Sequence, residues 1–184
     1  MLVINDIHDQ RLVEILTTGG IAVIRTDTLY GIVASAHDES AVERVYEAKG
    51  RDPHKSSIVL LDRPESSFGH TEELSGDIDL FHEQPTSFLI DAEEAPRYLL
   101  RENIQLAYRV PSNNDLQRLL SKTGPLIAPS ANPQGESPAR TIPAAIAYFG
   151  DLVDVYVDGG EVPSDMPPSR VVRVRPDGSL EQIR

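Results

Sequence analysis

Three observations predict an α/β domain in which helices pack against a twisted sheet. Short apolar runs of strand length recur along the chain: Ile21-Ala22-Val23-Ile24, Ile58-Val59-Leu60-Leu61, Ser87-Phe88-Leu89-Ile90 and Leu106-Ala107-Tyr108-Arg109-Val110. Segments with helical apolar spacing, bounded by capping residues and glycines, alternate with them. The last residues read as a hairpin, which makes the sheet mixed rather than purely parallel. Strands that alternate with helices bury both faces of a sheet, the hallmark of layered α/β architecture. A chain of 184 residues without repeats or a low-complexity linker is expected to form one domain, 1–184, with a sizeable core.

The elements follow in order. Ile7, Leu12, Ile15 and Leu16 approximate helical spacing over 7–18, and Gly19-Gly20 stops the run. The strand 21–24 feeds a polar stretch, Thr26-Asp27-Thr28-Leu29-Tyr30-Gly31, read as a loop or strand end. A helix opens at 38–40, with Asp38 or Ser40 as its cap, and closes at Lys49-Gly50, where glycine suits a left-handed cap. After the strand 58–61, an acidic stretch over 62–84 holds at most a short helix around Ile78, Leu80 and Phe81. Strands are expected at 87–90 and 106–110, the second stopped by Pro111. A helix over 113–122 ends before Gly124, and 126–128 is a strand. Thr141 caps a helix that ends at Gly150. Alternation in Val153-Asp154-Val155-Tyr156-Val157 marks a strand. The hairpin joins 171–175 to 180–183 across Asp177-Gly178.

Composition removes several kinds of chemistry. There is no cysteine, so disulfides, thiolate metal sites and cysteine nucleophiles are excluded. No GxSxG surrounds a serine and no histidine pair has HExxH spacing, which argues against a serine hydrolase and a zinc site. No metal site made by the protein itself is expected. No apolar run approaches the roughly 20 residues that span a bilayer. The start of the chain lacks the regions of a signal peptide, which fits a cytoplasmic location. A formal charge of −12 argues against direct binding to tRNA or other nucleic acid, whose phosphates need a basic face. An acidic protein that binds a phosphorylated ligand must focus its few cations in one place.

Those cations stand in short polar signatures. Lys49-Gly50-Arg51, with Lys55 beyond, closes the second helix, at a helix end expected to lie outside the core. Its cations suit phosphate, and they equally suit a helix C-terminus. Pro129-Ser130-Ala131-Asn132-Pro133 follows a buried strand and reads either as a ligand loop or as a turn rich in Ser, Asn and Pro. Ser137 and Arg140 lead into a helix N-terminus, which favours anions, although Arg140 also suits a surface charge. The 26–31 segment reads as a pocket of two hydroxyls, a carboxylate and a phenol, or as a capped turn. No GxxxxGK[ST] occurs, so any nucleotide site is not a P-loop.

Together, in order, these segments resemble the YrdC/TsaC-like threonylcarbamoyl-adenylate synthase family in its single-domain form. Gly19-Gly20 through Gly31 is similar to its Gly-Gly strand and PT(D/E)TVYG. Residues 41–51 resemble its AV..I...K.R helix, Ala107-Tyr108-Arg109-Val110-Pro111 its AVR.P, and Ala128-Pro129-Ser130-Ala131-Asn132 its APSAN. Residues 154–160 resemble its VD...DGG, Pro168-Ser169-Arg170-Val171-Val172 its PSTVV, and 180–184 its closing.ILR. Departures are Arg25 for proline, Lys55-Ser56-Ser57 for.PL, a reduced PGP.T at 85–87, and Arg170 for threonine. They bear on fine specificity more than on fold.

The resemblance implies an open concave cavity in an α/β fold of the YrdC type. It implies condensation of L-threonine, bicarbonate and ATP, with Mg²⁺, into threonylcarbamoyl-AMP and pyrophosphate. The product would serve a downstream tRNA threonylcarbamoyl transferase that modifies adenosine 37. Carried over by position, Lys49, Arg51, Ser130, Asn132, Ser137 and Arg184 would contact ATP, with Arg140 added beside them. Lys49 and Arg51 would carry the catalysis. Thr26, Arg109 and Ser169 would contact threonine. The alternatives are a relative of the same fold with another acceptor, and a non-catalytic RNA-binding module.

Overall fold

The computed structural model describes residues 1–69, 84–175 and 177–184. Its strands are β1 (Leu2–Ile4), β2 (Ala22–Arg25), β3 (Tyr30–Ser35), β4 (Val59–Leu60), β5 (Thr86–Asp91), β6 (Gln105–Arg109), β7 (Leu126–Ile127), β8 (Val155–Val157), β9 (Arg170–Val174) and β10 (Leu180–Gln182). Its helices are α1 (Gln10–Thr17), α2 (Glu39–Lys49), α3 (Arg97–Leu100), α4 (Asn114–Thr123) and α5 (Ile142–Phe149). The strands join in the order β1-β8-β2-β3-β7-β4-β6-β5-β9-β10. The sheet is mixed well beyond the terminal hairpin. β2 pairs antiparallel with β3, β3 and β4 with β7, and β5 with β6, whereas β4/β6 and β5/β9 are parallel.

Strand side chains alternate between faces, so one strand feeds two cores. Ile21, Val23, Ile32 and Ala34 join the cluster under α2 and α5, with Val42, Val45 and Ala145. Ala22, Ile24 and Val33 join the cluster on the other face, with Leu12 and Leu16 of α1 and Leu116 and Leu120 of α4. The sheet is therefore covered on both sides, and its central strands read as unbroken apolar runs for that reason.

The helices start where local chemistry directs. The side chains of Asp9, Asp38, Asn113 and Thr141 each accept a hydrogen bond from a first-turn amide. Asp38, not Ser40, caps α2. Gly50 ends α2 at φ +57°, where an L side chain is strained and where the chain must turn towards the site. Among the described residues, no helix is long and apolar enough to cross a membrane.

Three elements escaped the sequence reading. β1 has only three residues and gains its partner from β8, far along the chain. β3 begins inside the stretch read as a polar loop and forms a tight hairpin with β2. α3 is a single turn whose Leu99 and Leu100 are buried. The short helix expected around Ile78, Leu80 and Phe81 lies outside the described residues, as does Pro176 in the terminal turn.

Candidate active site

The segment after β7 folds back along β3. Ile32 donates its amide to the Pro129 carbonyl at 3.0 Å, and Ala131 donates to the Tyr30 carbonyl at 2.8 Å. Gly31 lies at this approach, where a Cβ would meet the Pro129 carbonyl oxygen and Thr26 Cγ2 at 3.4 Å, about ordinary contact. The β2–β3 turn, the loop after α2, the end of β6 and the loop after β7 thereby surround a cavity of about 680 Å³. Pro163, Ser164, Met166 and Pro168, on the irregular segment before β9, supply another part of its wall.

Among the described residues four with charged side chains line this cavity, and all are arginines: Arg51, Arg109, Arg140 and Arg184. Among the described residues no Asp, Glu, His or Lys side chain lines it. In a chain of net charge −12 this is a local concentration of one sign. Converging guanidinium groups in a recess bind carboxylate and phosphate by paired N–H donors as well as by charge.

Arg109 ends β6 and is 4% exposed. Burial pushes its guanidinium below the ordinary arginine range; Asp27 opposes that shift, and the nearby charge of Arg184 adds to it. Arg109 Nη2 stands 3.1 Å from Asp27 Oδ1, and the Asp27 side chain is 7% exposed. The contact is one of charge rather than aligned hydrogen bonding, since among the described residues Asp27 Oδ1 lacks a hydrogen-bond partner, as does Arg109 Nε. Arg109 thus keeps an unused donor. Asp27 itself faces a second recess of about 470 Å³, on the side of Asn5, His8 and Arg25.

Around Arg109 stand fixed hydroxyls. Thr26 Oγ1 donates to the Leu29 carbonyl at 2.7 Å and lies 3.1 Å from Thr28 Oγ1. Ser169 Oγ lies 3.1 Å from Ser87 Oγ, both buried. Arg184 donates to the Ser169 carbonyl at 3.1 Å, so the final residue of the chain closes this side. Thr26, Ser169 and Arg184 all line the cavity.

On the other side, Arg51 donates to the Ser56 carbonyl at 2.8 Å. Ser130 donates its hydroxyl to Asn132 Oδ1 at 2.6 Å, and Asn132 Nδ2 donates to the Pro133 and Glu136 carbonyls. Arg140 Nε and Nη2 both donate to the Val162 carbonyl, at 2.8 and 2.6 Å. Arg51, Ser130, Ser137 and Arg140 face the cavity.

Lys49 and Asn132 do not line it. Lys49 is 3% exposed, which corrects the expectation that it sits outside the core. Its ammonium donates to the carbonyls of Ser130 and Asn132. Burial, and then the charge of Arg51, lowers its pKa to about 8. Lys49 and Asn132 shape the Ser130 loop from behind. Lys55 points away as well, exposed and 3.8 Å from Asp52. Sequence reasoning missed Pro163, Ser164 and Met166 of the wall, which carry no periodic signal, and reached Pro168 only through the family pattern. It flagged Ser56 and Ser57 only within a departure from the family pattern, and in the structure both face the cavity.

A metal fits poorly as a resident group. Among the described residues, no three or more His, Asp or Glu side chains group to hold one. Any divalent ion would have to arrive on an anionic ligand.

An α/β fold whose recess concentrates arginines and hydroxyls defines a binder of small anionic ligands, with room for a nucleotide. The profile of the Sua5/YciO/YrdC family, described as "Telomere recombination", matches residues 14–184, and the chain belongs to that family. It is 30% identical to a threonylcarbamoyl-AMP synthase of Pyrococcus abyssi, over 90% of this chain and 53% of that one. It is 28% identical to a threonylcarbamoyl-AMP synthase of Coxiella burnetii, over 84% of this chain and 87% of that one. The chain therefore spans about half of the archaeal relative and most of the bacterial one. Among solved structures, Pyrococcus abyssi Sua5 complexed with L-threonine superposes with a TM-score of 0.87 at 24% identity, over 100% of this chain and 57% of that one. Escherichia coli YciO superposes with a TM-score of 0.76 at 25% identity, over 100% of this chain and 93% of that one.

Proposed function

We propose that the protein is an L-threonylcarbamoyladenylate synthase, a nucleotidyltransferase that condenses L-threonine, bicarbonate and ATP into threonylcarbamoyl-AMP and pyrophosphate. The observation that carries this reading is the cavity wall, which among the described residues holds four arginines, a set of fixed hydroxyls and no Asp or Glu side chain. Each substrate carries an anionic group, and the chemistry requires them to be held together against their mutual repulsion. The names of the relatives agree with it.

In this reading the Arg109 guanidinium takes the threonine carboxylate. Thr26 and Ser169 hold the amine and side-chain hydroxyl. Arg51, Ser130, Ser137, Arg140 and Arg184 hold the nucleotide, with Lys49 and Asn132 fixing the Ser130 loop behind it. The threonine amine attacks the bicarbonate carbon, and water leaves to give a carbamate. A carbamate oxygen then attacks the α-phosphorus, and pyrophosphate departs with the electron pair of the broken P–O bond. No enzyme nucleophile is needed. Catalysis comes from positioning and from fixed cationic charge where negative charge gathers. Magnesium enters as the counter-ion of ATP, consistent with a wall that among the described residues offers it no Asp or Glu side chain.

We read 1–184 as one catalytic domain, because the cavity takes its wall from Thr26 through Arg184. The product suits a transferase that moves threonylcarbamoyl to adenosine 37 of tRNA in the cytoplasm. The acidic surface favours hand-over of that product over direct tRNA binding. The test is pyrophosphate release from MgATP and bicarbonate, with and without L-threonine and with L-serine as control. Threonine-dependent release is expected. Release that is equal with serine would reassign the acceptor, and no release with either would refute the reading.

A further inference from the structure

Arg101 is the one non-glycine residue at positive φ among the described residues, at φ +60° and ψ −118°. An arginine gains nothing locally from that backbone, and such strain persists where the surroundings require it. Its side chain is only 9% exposed. Nε and Nη2 lack hydrogen-bond partners among the described residues. The charge is met by Glu43, 2.8 Å from Nη1. The guanidinium carbon lies 3.8 Å from the centre of the Tyr46 ring. A strained backbone, a buried cation and unpaired donors at one residue call for a reason.

The ring that Arg101 covers leads to the cavity. Tyr46 is 5% exposed. Its hydroxyl donates to the Lys55 carbonyl at 2.7 Å and accepts from Ser57 Oγ at 3.0 Å. Arg51 lies 5.6 Å from the same ring centre and donates to the Ser56 carbonyl at 2.8 Å. The residues after Arg101 grip the same loop. Glu102 lies 2.8 Å from His54 Nδ1, and Asn103 Nδ2 donates to the His54 carbonyl at 3.1 Å. Arg51, Ser56 and Ser57 face the cavity.

We infer that Arg101 is a positioning residue for the nucleotide half of the site. Its guanidinium backs the Tyr46 ring, and that ring fixes Arg51 and the 54–57 loop against the phosphates. This rests on the proposed synthase reading for the identity of the ligand. The physical reason is planarity. A flat cation can stack on the aromatic face while keeping one edge on Glu43. The left-handed backbone places it there from the end of a four-residue helix, where a normal φ would send the side chain elsewhere.

Arg101→Gly tests this cleanly, because glycine adopts φ +60° without strain and removes only the side chain. Three readouts are taken: thermal unfolding, amide hydrogen exchange over 54–57, and the affinities for MgATP and L-threonine by calorimetry. The variant is expected to unfold near the wild-type temperature. Exchange over 54–57 should quicken, and MgATP affinity should fall by about tenfold, a loss of about 1.4 kcal/mol. Threonine affinity should hold. Arg101→Lys, which keeps the charge without the plane, should fall between. Unchanged exchange, or equal losses for MgATP and threonine, would overturn the inference. So would a wild-type protein that binds no MgATP. A wild type that binds MgATP but shows no threonine-dependent pyrophosphate release would refute the synthase reading alone, and the variant-to-wild-type ratio would still judge Arg101.

Discussion

Replacing Asp27 by asparagine would leave the shape of the β2–β3 turn and remove one charge from beneath the cavity. Asp27 and Arg109 are 7% and 4% exposed at the side chain and stand 3.1 Å apart. At an effective dielectric constant of about 20 their attraction is about 5 kcal/mol. Much of that offsets the desolvation of the two ions, so it is not the net worth of the pair. What the substitution exposes is the other half of the balance: a buried guanidinium with no counter-charge. Removing one partner of such a pair costs about 3–5 kcal/mol. The lower end applies here, because the contact lacks hydrogen-bond alignment on Oδ1. For a chain of this size, about 3 kcal/mol lowers the unfolding temperature by roughly 6–12 °C.

Two comparisons give the measurement its meaning. The double variant Asp27→Asn with Arg109→Met should recover part of the loss, since neither charge is then left alone. A cycle of thermal or urea unfolding should return a coupling of about 2 kcal/mol or more. L-threonine should also raise the unfolding temperature of Asp27→Asn more than that of the wild type, because its carboxylate supplies the missing negative charge. A single variant within about 1 kcal/mol of wild type, or a cycle that is simply additive, would refute the role given to the pair.

Lys49→Ala should cost about 1–3 kcal/mol in urea unfolding, since it strands the Asn132 carbonyl in a buried place and leaves the Ser130 carbonyl only the Asn132 amide. Unimpaired stability with lost ATP binding would instead make Lys49 a direct ligand. The lowered pKa of Lys49 gives a sign as well. Between about 8 and the ordinary lysine value of 10.5 the unfolded chain binds more protons at this group, so its contribution to stability rises with pH. Wild-type stability minus that of Lys49→Met should therefore climb from pH 8 towards pH 10, and a flat or falling difference would contradict the assignment. Arg184→Ala should reduce turnover at least tenfold while shifting stability by only about 0.5 kcal/mol, as fits an exposed side chain. Equal loss of stability and turnover would make its bond to the Ser169 carbonyl purely structural.

Most regular elements were legible in the sequence because their signals are local. Asp38, offered beside Ser40, and Thr141 announce helix starts by giving an oxygen to the first turn, and each does so in the structure; Asn113, read as the first residue of its helix, caps it. Apolar runs such as 21–24 and 106–110 announced buried strands, with ends displaced by one residue. β1 and β3 were not legible. The first is too short to show a period, and the second begins with Tyr30-Gly31, whose strand character comes from pairing with β2 and the Ser130 segment.

The sequence by itself determined which polar residues were available for chemistry, and their order along the chain pointed to one family. Only the tertiary structure decided what each one touches. Asp27 was visible as a carboxylate in a polar turn, but its partner is brought to it by the far side of the sheet. Lys49 and Arg51 look equivalent as two cations after one helix. The left-handed turn at Gly50 sends the first beneath the Ser130 loop and leaves the second on the cavity wall. Arg101 gave no signal at all, because its importance lies in a backbone angle and a ring from another helix. Capping and periodicity are properties of neighbours in sequence. Burial, charge pairing and the direction of a guanidinium depend on groups that meet only when the sheet has closed around them.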